Sequence, residues 1–271
     1  MNLRNHPRTL YGTVTQNVPN KEQQCYDGLM PTVSDLVEQW INASSLSVVE
    51  IARRAGMSRT TIHRVRTGQA DPSTGTLKDL AIAAGVDIEL RTVELADPAA
   101  ASAARALLET GYPGVESEWQ GRLSRISSDP IRIVEAAAIM ANPVKQREAK
   151  HFSGQATVGM LASAGASTEV MWAISGSPAL TRFGNQQPIV GHSLLWAREP
   201  KVATSTLSGI LRETPHPAIA TVTVLPATAD LFFDSYADGI GRYVSPIQTM
   251  LDAIAIGGDL AAIAREEISR W

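Results

Sequence analysis

Residues 46–68 read LSVVEIARRAGMSRTTIHRVRTG. Val49, Ile51, Ala52 and Ala55 supply the small and apolar residues of a first short helix, and Gly56 marks a tight turn after it. Ser58 is placed to cap a second helix in which Ile62 and Val65 face inward. Arg59, Thr60 and Arg64 then face outward from its first two turns. The spacing predicts two helices crossing at a turn, with a polar, cationic stripe on the exposed side of the second.

Such a stripe has a specific chemistry. An Arg guanidinium pairs bidentately with guanine in the major groove, and a Thr at the start of the same helix reaches base edges beside it. The competing interpretation is an ordinary helical hairpin with a solvated basic face. Charge distribution favours the first. The chain of 271 residues carries a formal net charge of −3, which excludes a protein coated in nucleic acid. Yet Arg53, Arg54, Arg59, Arg64, Arg66 and Lys78 cluster between residues 44 and 78, against only Glu50 and Asp71. One module therefore meets phosphates and the rest does not. Candidate base-reading residues are Arg59, Thr60 and Arg64; candidate phosphate contacts are Ser58, Thr61, Arg53, Arg54 and Arg66. His63 is expected to face solvent or phosphate.

Working outward, Val33, Leu36, Val37, Trp40 and Ile41 fit one helix face, with Thr32 or Ser34 as cap and Trp40 as core anchor. Downstream, Gln69 to Ser73 breaks the helix, Ser73 or Thr74 caps a helix holding Leu77, Leu80, Ala81 and Ala84, and residues 88–90 close the bundle. In this order, Ile51, Ala52, Gly56, Met57, Ser58, Ile62, Gly68, Pro72, Ser73, Leu77, Ala84, Gly85 and Val86 resemble the lambda-repressor-like (Cro and xenobiotic-response-element type) DNA-binding family over residues 33–92. The resemblance implies an all-α five-helix domain at 31–95 and a homodimer on double-stranded operator DNA. Arg66 and Thr67 depart from the family's usual Glu-Asn before the loop glycine, which alters the hydrogen bonds expected there.

The remaining organisation is less regular. Residues 1–30 read as a polar tail or loosely docked arm, which as a DNA-reaching arm would act through Arg4 and Arg8. The alanine-rich segment within 96–117 reads as a helical linker. From 118 to 271, helices are expected at 119–126, from Asp129 and Pro130 to Met140, at 154–164, at 200–211, at Pro246–Ile256 and at 259–271. Strands are expected at 170–174, Ser193–Ala197, 221–225 and 231–233, giving an α/β (α+β) domain with a small mixed sheet. The basic stretch 142–151 fits a solvated loop or helix face better than a second DNA contact.

This half of the chain carries partial layouts of catalytic and metal sites. Ser175, Gly176 and Ser177 at a strand end have the layout with which nucleotidyltransferases begin, but the paired carboxylates that would hold magnesium do not follow. Pro178 after Ser177 breaks the pattern of a hydrolase nucleophile elbow. The four-spaced Asp230, Asp234 and Asp238 do not match a calcium loop. The expectation is no reaction, no cofactor and no metal. The single cysteine, Cys25, allows no internal disulfide, and no apolar run approaches the roughly 20 residues that span a bilayer. The N-terminus has no signal-peptide core, so a cytoplasmic protein is expected.

Residues 173–184, the pair Gly191 and His192, and residues 243–252 resemble the C-terminal domain of AbiEi-type antitoxins, with Gly257, Gly258 and the terminal Trp271 in support. That resemblance implies the antitoxin and autorepressor of a type IV toxin–antitoxin pair whose toxin is nucleotidyltransferase-like. Gln248 and Asp252, one turn apart on a helix capped by Ser245, are its candidate partner contacts; a structural polar pair is the competing account. A ligand-sensing regulator with a small-molecule site in the second domain is the alternative function.

Overall fold

The computed structural model describes residues 32–90, 92–114, 117–183 and 188–270. The polar arm expected over 1–30, Gly184 and Trp271 lie outside the described residues. The chain forms two compact units, divided between Arg91 and Thr92.

The first unit is helical. Helices α1 (Val33–Ala43), α2 (Val48–Arg54), α3 (Arg59–Arg66) and α4 (Thr74–Ala84) enclose a core of Val37, Ile41, Ile51, Ala52, Ile62, Val65, Leu80 and Ala83. Each helix starts at a hydroxyl cap: Thr32, Ser47, Ser58 and Ser73 accept the N–H groups of Asp35, Glu50, Thr61 and Thr76. At Thr32 the bond is reciprocal, since Asp35 accepts the Thr32 N–H at 2.9 Å. Helix ends are equally local. Gly56 takes φ +66°, the left-handed conformation that lets the Met57 N–H return to the Ala52 carbonyl at 2.9 Å. The same closure recurs from Gln69 to Arg64 and from Val86 to Ala81. Three expectations are corrected. The described unit holds four helices rather than five, because residues 88–90 form none and Leu90 is exposed. Trp40 only packs partly against the core, which Val37 and Ile41 anchor. Val49 points to solvent.

The second unit is a seven-stranded mixed sheet with helices on both faces. Its strands are β1 (Lys150–Ser153), β2 (Trp172–Gly176), β3 (Ser193–Ala197), β4 (Arg212–Thr214), β5 (Val222–Pro226), β6 (Tyr236–Ala237) and β7 (Arg242–Tyr243), in the order β4-β1-β5-β3-β2-β7-β6. The pairs β3/β5 and β2/β7 are parallel and the others antiparallel. Strand alternation sends Phe152, Ile174, Leu195, Val222 and Val224 to one face, under α8 (Val158–Ala166) and α10 (Pro200–Ser208). Ala173, Leu194, Trp196 and Leu225 take the other.

A layer of α5 (Pro98–Leu108), α6 (Glu118–Ile126), α7 (Pro130–Ala141), α11 (Pro246–Ile256) and α12 (Gly258–Ile268) has its own core, while α9 (Ser177–Phe183) follows β2 directly. The expected linker is thereby revised: Ala100, Ala101, Ala103 and Ala104 of α5 are buried against this layer, so the segment is core rather than connection. Residues 231–233 are not a strand; they fall on a 3-10 turn. Conversely, β1 begins in the last two residues of the basic stretch expected to be a solvated loop or helix face. No helix among the described residues is long and apolar enough to cross a membrane.

Candidate nucleic-acid interface

Helix α3 separates its two faces cleanly. Ile62 and Val65 are buried in the four-helix core, while Arg59, Thr60, His63 and Arg64 are exposed. These four fall at spacings of one, three and four residues, which places them on one continuous helix face. Docking of α3 is polar as well as apolar. The Ser34 hydroxyl of α1 donates to the Val65 carbonyl at 2.8 Å. The Arg66 guanidinium forks onto Glu38 of α1, with Nη2 donating to Oε1 at 2.7 Å. Where the resemblance left the loop hydrogen bonds open, the Thr67 hydroxyl donates to the His63 carbonyl at 2.9 Å.

The basic cluster is less uniform than its composition implies. Glu50 takes bidentate hydrogen bonds from Arg53 at 2.7 and 2.9 Å and another from Arg54 at 2.8 Å. Those bonds, first from Arg53 and then from Arg54, hold its carboxyl down to about 2. Arg66 is committed to Glu38. Arg59, Arg64 and Lys78 have no acidic partner among the described residues, so the positive charge of the first unit that is not held in an ion pair lies on the outward face of α3 and on Lys78 of α4.

The expected phosphate contacts therefore divide. Ser58 and Thr61 are exposed and joined through their hydroxyls at 2.9 Å, with Ser58 Oγ also accepting the Thr61 N–H at 3.0 Å. This leaves one hydroxyl hydrogen of the pair free to donate, beside the positive end of the helix. Arg53, Arg54 and Arg66 would have to share or exchange their carboxylates before serving a phosphate.

The second unit brings together other residues singled out in the sequence. Gln248 and Asp252 are not at the surface: they are 3% and 2% exposed. Gln248 Nε2 donates to Asp252 Oδ1 at 2.9 Å, and Trp196 Nε1 donates to Oδ2 at 2.9 Å. A partner-contact role for the pair is thus overturned. The physical reason is that α11 is buried on every side, from Gln248 through Ile254. Ser177 opens α9 with its hydroxyl donated to the Gly191 carbonyl at 3.0 Å. Asp230 accepts hydrogen bonds from Tyr112 and Ser102, and Asp238 pairs with Arg182, so these acids do not converge. Among the described residues no group of three His, Cys, Asp or Glu side chains is placed to hold a metal ion.

A protein-family model described as a helix-turn-helix domain matches residues 36–93. That match covers α1 to α4, the expected module of a DNA-binding transcriptional regulator. The match ends at residue 93, at the very start of the second unit, whose antitoxin resemblance stands on its sequence motifs alone. No curated protein and no solved structure matches the chain.

Proposed function

We propose that this chain is a sequence-specific transcriptional repressor that reads double-stranded DNA with Arg59, Thr60 and Arg64 of α3. The observation that carries the proposal is the outward face of α3, where two arginines lack acidic partners while the neighbouring Arg53, Arg54 and Arg66 are neutralised. An unpaired guanidinium on a rigid, capped helix loses little on meeting a base edge, because no internal ion pair has to break. Backbone positioning falls to Ser58, Thr61 and Lys78, with Arg53, Arg54 and Arg66 secondary.

Selection of a binding site from random duplexes, followed by mobility shift at several salt concentrations, tests the proposal. Arg59→Ala is expected to weaken the selected site by about 1–3 kcal/mol while barely changing affinity for random DNA. Lys78→Ala is expected to weaken both and to flatten the salt dependence by about one phosphate contact. Equal losses on both DNAs with Arg59→Ala would remove that residue from base readout.

The finer form of the proposal is an autorepressor and antitoxin of a type IV toxin–antitoxin pair. It is supported by the motifs at 173–184 and 243–252, and by a strand–Gly-Ser–helix layout whose serine is tied to a backbone carbonyl. Accordingly it assigns no reaction to the chain, and places a homodimer on the operator. Co-expression with a neighbouring nucleotidyltransferase-like toxin should restore growth; growth arrest unchanged by this chain would end the antitoxin assignment and leave the repressor assignment standing.

A further inference from the structure

On the face of the second unit's sheet opposite α8 and α10, one cross-strand row runs Thr214, His151, Thr223 on β4, β1 and β5. His151 is 8% exposed. Its Nδ1 lies 2.9 Å from the Thr223 hydroxyl, which in turn lies 2.8 Å from His192 Nε2. The chain of donors ends at the Ala220 carbonyl, 2.9 Å from His192 Nδ1. A carbonyl only accepts, so His192 carries its hydrogen on Nδ1. Burial holds both imidazoles below their ordinary value, hence neutral, with Lys150 adding to the effect at His151. In that state His192 Nε2 accepts from the Thr223 hydroxyl, whose oxygen accepts from His151 Nδ1–H. His151 Nε2 is left as an acceptor with no hydrogen-bond partner among the described residues.

His151 lines a pocket of about 690 Å³ whose rim carries Lys145, Arg147 and Lys150, with the Thr214 hydroxyl also at its wall. Glu94 pairs with Lys145 at 3.0 Å, and Glu213 stands 4.0 Å from Lys150. Arg147 is exposed and has no acidic partner among the described residues. The arrangement offers three cations against two carboxylates around one acceptor that can take a hydrogen. Most oxyanions satisfy only the charge. We infer that this pocket binds hydrogen phosphate, with Arg147, Lys145 and Lys150 facing its oxygens and His151 Nε2 accepting its P–O–H hydrogen. Sulfate has the same shape and charge but no hydrogen at neutral pH, so the acceptor discriminates between the two. This site is independent of the DNA-binding proposal and gives the second unit a binding site for free phosphate.

Calorimetric titration of the full chain at pH 7.5 with inorganic phosphate, sulfate and methyl phosphate tests it, alongside nitrogen NMR of the His151 ring. Phosphate is expected to bind saturably, to shift the Nε2 resonance, and to bind about tenfold or more tighter than sulfate, the scale of leaving an acceptor unpaired once the anion has displaced its water. Methyl phosphate, ionised at this pH and lacking the hydrogen, should follow sulfate. Arg147→Ala, an exposed change that leaves the sheet intact, should weaken phosphate several-fold, and His151→Phe should erase the preference over sulfate. Absence of saturable phosphate binding, equal affinity for the three anions, or an Nε2 resonance that does not move would each overturn the assignment; should the Phe variant fail to fold, the Arg147 variant and the anion comparison decide.

Discussion

Replacing Arg105 by Ala is expected to lower the stability of the 92–271 unit by about 3–5 kcal/mol, the range for stripping one partner from a buried ion pair. Arg105 on α5 is fully buried. Its Nε and Nη2 meet the Glu109 carboxylate at 3.0 and 2.9 Å, Nη1 donates to the Leu231 carbonyl at 2.8 Å, and Nη2 donates to the Phe233 carbonyl at 2.7 Å. The guanidinium also lies 4.6 Å from the centre of the Tyr112 ring. Glu109 is shared, because its Oε1 accepts the hydroxyl of Ser245, the cap of α11, at 2.6 Å. One side chain therefore ties α5 to the 229–233 turn and to the start of the central helix. Alanine would leave a buried carboxylate without its cation and two carbonyls without donors. Arg105→Lys should fall between, since an ammonium keeps the charge but cannot fork. Adding Glu109→Gln to Arg105→Ala should recover part of the loss. Urea titration followed by far-ultraviolet circular dichroism measures these differences; a loss below about 1 kcal/mol for the alanine variant would refute the assignment.

None of this was visible in the sequence, and the reason is instructive. An alanine-rich helix buries little area per residue, so its composition does not say whether it is a spacer or lies close against α7. Its single arginine looks like a solvated charge. The first unit was legible because its signals are local: Thr32, Ser58 and Ser73 cap three of its helices, Gly56 and Gly68 follow α2 and α3, and Ile62 and Val65 repeat on one side. The pairing of Arg53 and Arg54 with Glu50 follows from helical spacing of three and four. The pairing of Arg66 with Glu38 spans 28 residues and could only come from tertiary structure. In the second unit, strands of ordinary length were recognised, whereas β4, β6 and β7 hold two or three residues each and carry no readable period. The strand β1 was hidden because Lys150 and the charges before it mask a four-residue run. For α11, the polar pair Gln248 and Asp252 suggested a surface, yet apolar residues on all sides of PIQTMLDAIAI were the better signal.

That buried pair sets the second large effect. Burial raises the Asp252 carboxyl to about 6 from an ordinary 3.8, opposed by the nearby Ser175 hydroxyl, by hydrogen bonds from Trp196 and Gln248 and by the charge of Arg105. A group whose folded value lies above its unfolded value contributes stability that is complete below the unfolded value and is lost as pH rises through the folded one. For Asp252 the window runs from about 4 to 6, and the loss is about 3 kcal/mol at 1.36 kcal/mol per decade. Asp252→Asn has the same shape and no ionisation. Its oxygen can still accept the Trp196 N–H, and Gln248 can turn its amide to accept from the new one. The stability of the Asn variant relative to the parent should therefore improve by about 3 kcal/mol between pH 4 and pH 7. His151 and His192 act in the opposite sense, since burial lowers them and their contribution is lost as pH falls below their ordinary 6.5. Both proteins contain these histidines, so the difference between variant and parent cancels them. Asp252→Ala, by contrast, should be less stable than the Asn variant at every pH, because the Trp196 N–H is then buried without an acceptor, at a cost of about 1–3 kcal/mol. A difference between Asn variant and parent that stays constant from pH 4 to 7 would mean that Asp252 does not change its charge there. The two buried sites are also coupled: with Arg105 replaced, the Asp252 carboxyl loses a stabilising charge, and the window in which the Asn variant gains on its parent should extend to higher pH from the same lower edge.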